Sequence, residues 1–152
     1  MPFTEEVAIN QIAIYEREID GIANSYDYAK NPDSLTSAML PAVIHYVPSF
    51  TVEPRAHYNV WANSIALTSI LFVLPRESVG GKLKFLENEA IPFGAKWRAK
   101  FQDDTVIKAL LSNMGAVKFF LKSGAYGAGG TLLNYSSTDF VGWVFNWDIV
   151  NA

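Results

Sequence analysis

The clearest hydrophobic pattern in the chain lies near its C-terminus. Val141, Trp143, Phe145, Trp147 and Ile149 fall on one face of a period-two alternation, and Phe140, Gly142, Val144, Asn146, Asp148 and Val150 fall on the other. The first face is apolar throughout and the second turns polar toward its end, which predicts a strand wet on one side only near its C-terminus. Its large aromatics, Trp143, Phe145 and Trp147, are read as structural core, and removing the Trp143 indole is expected to cost on the order of 3–5 kcal/mol. Leu132 to Tyr135 is a shorter apolar run, and Ser136-Ser137-Thr138-Asp139 is the polar turn that makes the pair a hairpin.

At the other end the period changes to that of a helix. Ala8, Ile12, Tyr15, Ile19 and Ile22 form a stripe, with Thr4 as cap, Glu5 and Glu6 in the first turn, and Glu16, Arg17, Glu18 and Asp20 off it. Gly21 and Asn24-Ser25 suit the helix end. Ser25 to Leu40 is turn-rich, and Ala42 to Val47 is a short strand in which His45 reads as an ordinary strand histidine, as does His57 further on. Pro48 to Val60 reads as an edge strand or an excursion, because Pro54 cannot donate to a ladder. A turn at Ala62-Asn63 then leads into the longest strand, Ser64 to Leu74.

Helical character follows from Lys82 to Phe101, split by Pro92 and Gly94, and Asp103 caps a further helix, Val106 to Asn113. Val117 to Lys122 returns to strand, and Ser123 to Gly130 is a glycine-rich connection. Helices gathered in blocks predict an α+β fold. Its sheet is antiparallel or mixed, with the N-terminal helix and the mid-chain helical block packed on one face. No linker divides residues 1–152, which read as a single domain.

Composition sharpens this in one respect. Of 152 residues, 50% are hydrophobic, 14% aromatic and only 18% charged, so part of the apolar surface is expected to be covered by neighbouring subunits. The chain has no cysteine, which removes disulfides, thiolate metal sites and cysteine nucleophiles. A net charge of −3 with scattered Lys and Arg argues against a nucleic-acid-gripping face. The N-terminus carries no secretory pattern, and no apolar run is long enough for a membrane span.

Candidate chemistry is sparse. Gly124-Ala-Tyr-Gly127-Ala-Gly129-Gly130 lacks the Lys-Ser/Thr ending of a phosphate loop and precedes a strand rather than a helix. The acid pairs Glu5-Glu6 and Asp103-Asp104 suit helix N-termini, and the serines lack a base and an elbow. Tyr58, Trp61 and Trp97 have no basic frame for stacking on nucleotides. The reading is therefore non-enzymatic, with no catalytic residue, cofactor or metal.

Four features together resemble the tail-terminator (tail-completion) proteins of long-tailed bacteriophages. They are an amphipathic N-terminal helix ending near Ile19-Asp20-Gly21-Ile22; the turn Asn31-Pro32-Asp33-Ser34-Leu35 closing on Leu40-Pro41-Ala42-Val43; a long central ribbon and a following helix; and the hairpin Leu133-Asn134-Tyr135 through Phe140, Gly142 and Phe145. The resemblance implies a virion protein, assembled in the host cytoplasm. It implies a homo-oligomeric ring, of six subunits, that caps the tail tube and joins the head-side neck, with a sheath protein as a further potential neighbour. DNA would pass through the bore without specific binding, and the family carries no catalytic residues. The expected subunit or tube contacts are Glu53, Arg55, Tyr58, Arg76 and Glu77, at the ends of the ribbon. Two alternatives stay open: another neck or head-closure ring component, and a small-molecule-binding α+β domain.

Overall fold

The computed structural model describes residues 3–54, 61–76 and 88–151. Helix α1 spans Glu5–Glu16 and is followed by a two-residue strand, β1 (Asn24–Ser25). Strands β2 (Ala42–Pro54) and β3 (Trp61–Pro75) form the ribbon, followed by helices α2 (Pro92–Phe101) and α3 (Asp104–Met114). Strands β4 (Lys118–Ala128), β5 (Asn134–Tyr135) and β6 (Thr138–Asn151) complete the chain. The sheet order is β1-β2-β3-β6-β4, with β5 paired to β6; β1 runs parallel to β2 and every other pairing is antiparallel. The fold is α+β with a mixed sheet, as the pattern predicts.

The helices cover one face. Ala8, Ile9 and Ile12 of α1, Phe93, Trp97 and Phe101 of α2, and Val106, Leu110 and Met114 of α3 close over Ile65, Leu67, Leu71, Phe145, Trp147 and Ile149. On the opposite face a smaller cluster, Ile44, Ile70, Phe72, Leu133 and Phe140, is covered by Tyr26, Leu35 and Leu40 from the segment between β1 and β2 and by Tyr135 of the hairpin. Among the described residues no helix covers the rest of that second face. There a hydrogen-bonded row, Thr68 to Asn146 at 2.9 Å and Asn146 to Ser123 at 3.1 Å, joins β3, β6 and β4.

The alternation in β6 is as read: Val141, Phe145, Trp147 and Ile149 are buried on the helix side. Trp143 shares that side but is only partly buried. Each of three core tryptophans finds an acceptor for its N–H: Ala90 O for Trp143 (2.8 Å), Ser69 Oγ for Trp147 (2.9 Å) and Glu16 Oε2 for Trp97 (3.1 Å). That is the condition for burying an indole without a desolvation penalty.

Several expected boundaries move. Helix α1 stops at Glu16, short of Gly21, and its buried set extends to Ile9, Ala13 and Glu16. Pro48 does not end a strand. It sits in a register shift between Tyr46 and Ser49, where a missing N–H is tolerated, so the two expected strands are one. Ala62 and Asn63 are ladder residues opposite Glu53 and Val52, and the connection falls at residues 55–60, outside the described residues. The expected split near Pro92 is present: Asn88 and Glu89 are helical, residues 90–91 turn, and Pro92 opens α2 as the second piece, since its fixed φ suits a first turn. Residues 82–87 lie outside the described set.

The segment from Ser123 to Ala128 is strand rather than loop. Its glycines fit the aromatic face of β6: a Cβ on Gly124 would sit 3.0 Å from the Phe145 ring. Gly142 is stricter still, because a Cβ there would lie 1.7 Å from the Leu71 carbonyl oxygen, close to the register shift between β3 and β6. The hairpin turn is also tighter than expected. Ser136 (φ 50) and Ser137 (φ 66) alone make it, in the left-handed geometry that matches the twist of paired strands.

Replacing Trp147, which is fully buried against Phe101 and Phe119, with Ala is expected to cost about 3–5 kcal/mol in urea unfolding. Trp143→Ala is expected to cost clearly less, because its ring is partly exposed. Equal losses at the two positions would contradict this account of the core.

Candidate functional site

The most concentrated polar chemistry among the described residues is buried. Helix α1 presents Glu16 inward, fully buried, although its sequence position lies off the apolar stripe. Oε1 lies 2.6 Å from His45 Nε2 and accepts from Ser25 Oγ at 3.1 Å, while Oε2 accepts from Trp97 Nε1 at 3.1 Å. His45 Nδ1 is 3.0 Å from the Tyr26 carbonyl oxygen, an acceptor only, so Nδ1 carries a proton. Both imidazole nitrogens are thus committed to the protein, and neither is free to act as a base on a substrate. The sequence offered no signal for this cluster beyond a glutamate one turn after Ile12 and a histidine in a strand.

Beside it a cleft of about 360 Å³ opens between α1, the start of β2 and the segment after β1. Ile9, Tyr28, Tyr46 and Val47 line it, and Asp27, paired with Arg17, lies at its rim. Behind this segment, on the opposite face, the Tyr135 hydroxyl donates to the Pro32 carbonyl. Burial, then the Asp33 carboxylate, then Tyr26 push the Tyr135 phenol above its ordinary value, and burial does the same to Tyr26. Among the described residues no three His, Asp or Glu side chains converge as a metal site requires.

Among the described residues the sheet has two open edges. Strand β1 covers β2 only at Ala42 and Val43, so among the described residues the outer side of β2 has no strand partner from Tyr46 to Pro54, and every residue from Pro48 to Pro54 is exposed. At the opposite edge, β4 pairs with β6 alone. The cross-strand register sorts the side chains of both edges. On the helix side lie Phe50 and Val52 of β2 and Phe119 and Leu121 of β4, in rows with Ile65, Ile149 and Trp147. On the open side lie Ser49, Thr51 and Glu53 of β2 and Phe120 and Lys118 of β4. Phe50 is 67% exposed and Trp61, near the ribbon's end, 54%.

Of the residues expected to make contacts, Glu53 is exposed near the end of β2, and Arg76 is exposed just after β3. They stand at opposite ends of the ribbon, roughly 45 Å apart at about 3.3 Å per residue, and so do not form one site. Arg55, Tyr58 and Glu77 lie outside the described residues. Phe50, Val52 and Lys118 were not singled out by the sequence, although an apolar-polar alternation over Ser49–Glu53 was there to be read.

Two outcomes follow. His45→Ala, which strands the Glu16 carboxylate in the core, is expected to cost about 3–5 kcal/mol. The Glu16→Ala, His45→Ala double variant should then cost less than the sum of the singles; strict additivity in chemical denaturation would contradict the coupling.

The second outcome concerns alkaline pH. A phenol raised in the fold favours the native state fully below its unfolded value of 10.0, and that contribution is lost as pH climbs through the raised folded value. Tyr135→Phe is expected to be less stable by about 1 kcal/mol at neutral pH. The gap should narrow above pH 10.0, and a gap that stays constant in melts across that range would contradict the assignment. Comparison of the chain with protein-family models and with characterised proteins finds no match.

Proposed function

We propose that this chain is the subunit of a closed homo-oligomeric ring. In that reading it resembles the tail terminators of long-tailed phages and serves as a structural virion component without catalytic activity. The observation that carries the reading is the pair of unlike open edges on one sheet, each apolar on the helix side and more polar on the other. The four long strands alternate in direction across β2-β3-β6-β4, so the β4 edge of a next copy, brought round by a rotation axis along the strands, meets β2 antiparallel. Contacts between unlike surfaces do not stop at pairs: they form a ring where the rotation closes and an open filament where it does not, and a terminator requires the closed case.

Such a ring, of six subunits in the terminator reading, would cap the tail tube and meet the neck on its other side. Its faces would be unlike, so that the tube is not continued. The net charge of −3 per chain, repeated around the ring, favours DNA transit through the bore over binding to its wall. The sheet face away from the helices favours a wall of this kind, since beside the buried Thr68 its central row presents the neutral Asn146 and Ser123. No helix among the described residues is long and apolar enough to cross a membrane.

A second reading, a small-molecule-binding domain, has the tyrosine-lined cleft in its favour. Solution mass separates the two. Light scattering and native mass spectrometry over a wide concentration range are expected to show one discrete oligomer, seen as an annulus by electron microscopy. A chain that remains monomeric at every concentration, including in the presence of tail-tube rings, overturns the ring and leaves the cleft as the better guide.

A further inference from the structure

We infer that the ring contact is a defined strand pairing in which Glu53 of β2 lies opposite Lys118 of the next copy's β4. This inference rests on the ring reading above and adds its register. Two features of β2 narrow the pairing window. Pro48 and Pro54 have no N–H to give, so the stretch able to accept a full ladder on the free side is Ser49–Glu53. On β4 the regular stretch before the register shift at Leu121/Ser123 is Lys118–Leu121. The two windows are of nearly equal length, and they lie at the same end of the sheet. Thr51, Ser64, Val150 and Lys118 occupy one cross-strand row, and Glu53 lies two residues beyond on the same face.

Side-chain chemistry then selects among registers. With Glu53 opposite Lys118, antiparallel pairing sets Val52 opposite Phe119, Thr51 opposite Phe120 and Phe50 opposite Leu121. Every helix-side pair is apolar against apolar, and Phe50, 67% exposed in the single chain, gains a partner. The open side carries one acid from β2 facing one base from β4, and among the described residues neither Glu53 nor Lys118 has a salt-bridge partner within its own chain. A one-residue slip turns every side chain to the wrong face. The alternative of the same parity, with Thr51 opposite Lys118, leaves the two charges diagonal. The preferred register is staggered by two residues relative to the row within the subunit, and stagger is what a sheet closing on itself requires. Opposite charge at a contact fixes register and excludes wrong alignments more than it adds affinity.

The test is a charge exchange on the full-length chain. Glu53→Lys and Lys118→Glu are each expected to raise the dissociation midpoint of the oligomer about tenfold or more, since each sets like charges face to face in a partly desolvated contact. The double exchange is expected to restore assembly to near the parent level. Both side chains are exposed, so thermal melts of the dissociated variants should match the parent and rule out misfolding as the cause. Single variants that assemble like the parent, or a double variant that stays as impaired as the singles, overturn this contact while the ring stands. A parent chain that is monomeric overturns both.

Discussion

Helix α1, β1, β2 and α2 meet on one buried carboxylate. Glu16 takes its hydrogen-bond partners from β1 (Ser25), β2 (His45) and α2 (Trp97), segments 9, 29 and 81 residues away in sequence. A carboxylate stripped of water is costly unless each oxygen finds donors, and here each does. The cost is avoided only when all three partners are in place together, so the last turn of α1, the short parallel strand and the middle of α2 are fixed jointly. An apolar group of similar size would bury as comfortably but would accept many arrangements of its neighbours. Directionality is what the acid adds.

Around that point the aromatic residues supply bulk rather than direction. Trp97 stacks on Phe145 at 4.6 Å and Phe145 on Trp143 at 5.5 Å, while Trp147 meets Phe101 at 4.5 Å and Phe119 at 5.2 Å. One file runs from α2 across β6 and the other from α2 to β4, so β6 is clamped between helix and edge strand. The glycines of β4 belong to this arrangement. Gly124 leaves room for the Phe145 ring, which is why a glycine-rich segment continues a strand when its composition alone suggests a loop.

This shows what was legible in the sequence and what was not. Features set by local periodicity and capping were: the alternation of β6, the Thr4 and Asp103 caps, and the block order of helices and strands that implies an α+β fold. Features set by a partner distant in sequence were not. Glu16 reads as off the stripe because of its charge, although it lies one turn after Ile12; nothing local says that His45 and Trp97 will arrive to accept it in the core. Pro48 looks like a break, because a bulge needs knowledge of Leu67 and Ala66 across the ladder. The turn at Ser136-Ser137 lacks the Asn-Gly or Asp-Gly sequence that usually announces it, so its position was blurred by two residues. The edges were half legible: Pro54 marked β2 as an edge strand, but nothing local could say that β4 was the other.

An open edge is ordinarily a liability, and charges or prolines that blunt it are the usual remedy. Pro48, Pro54, Lys118 and Lys122 fit that description, yet blunting alone does not explain the side chains between them. Protection from stray pairing is best served by polar residues on both faces of an edge. Here Phe50 and Val52 stand exposed on the helix side of β2, at the same end of the sheet as Phe119 and Leu121 at the opposite edge. An edge that is two-faced in the same sense as its counterpart discriminates by parity: an aligned partner extends both the apolar and the polar layer, and a slipped partner extends neither. Prolines at both ends of the β2 window then limit how far a correct partner can slide. Read together, the apolar face provides attraction and the prolines and charges limit what it can attract, a combination suited to one specific neighbour rather than to none.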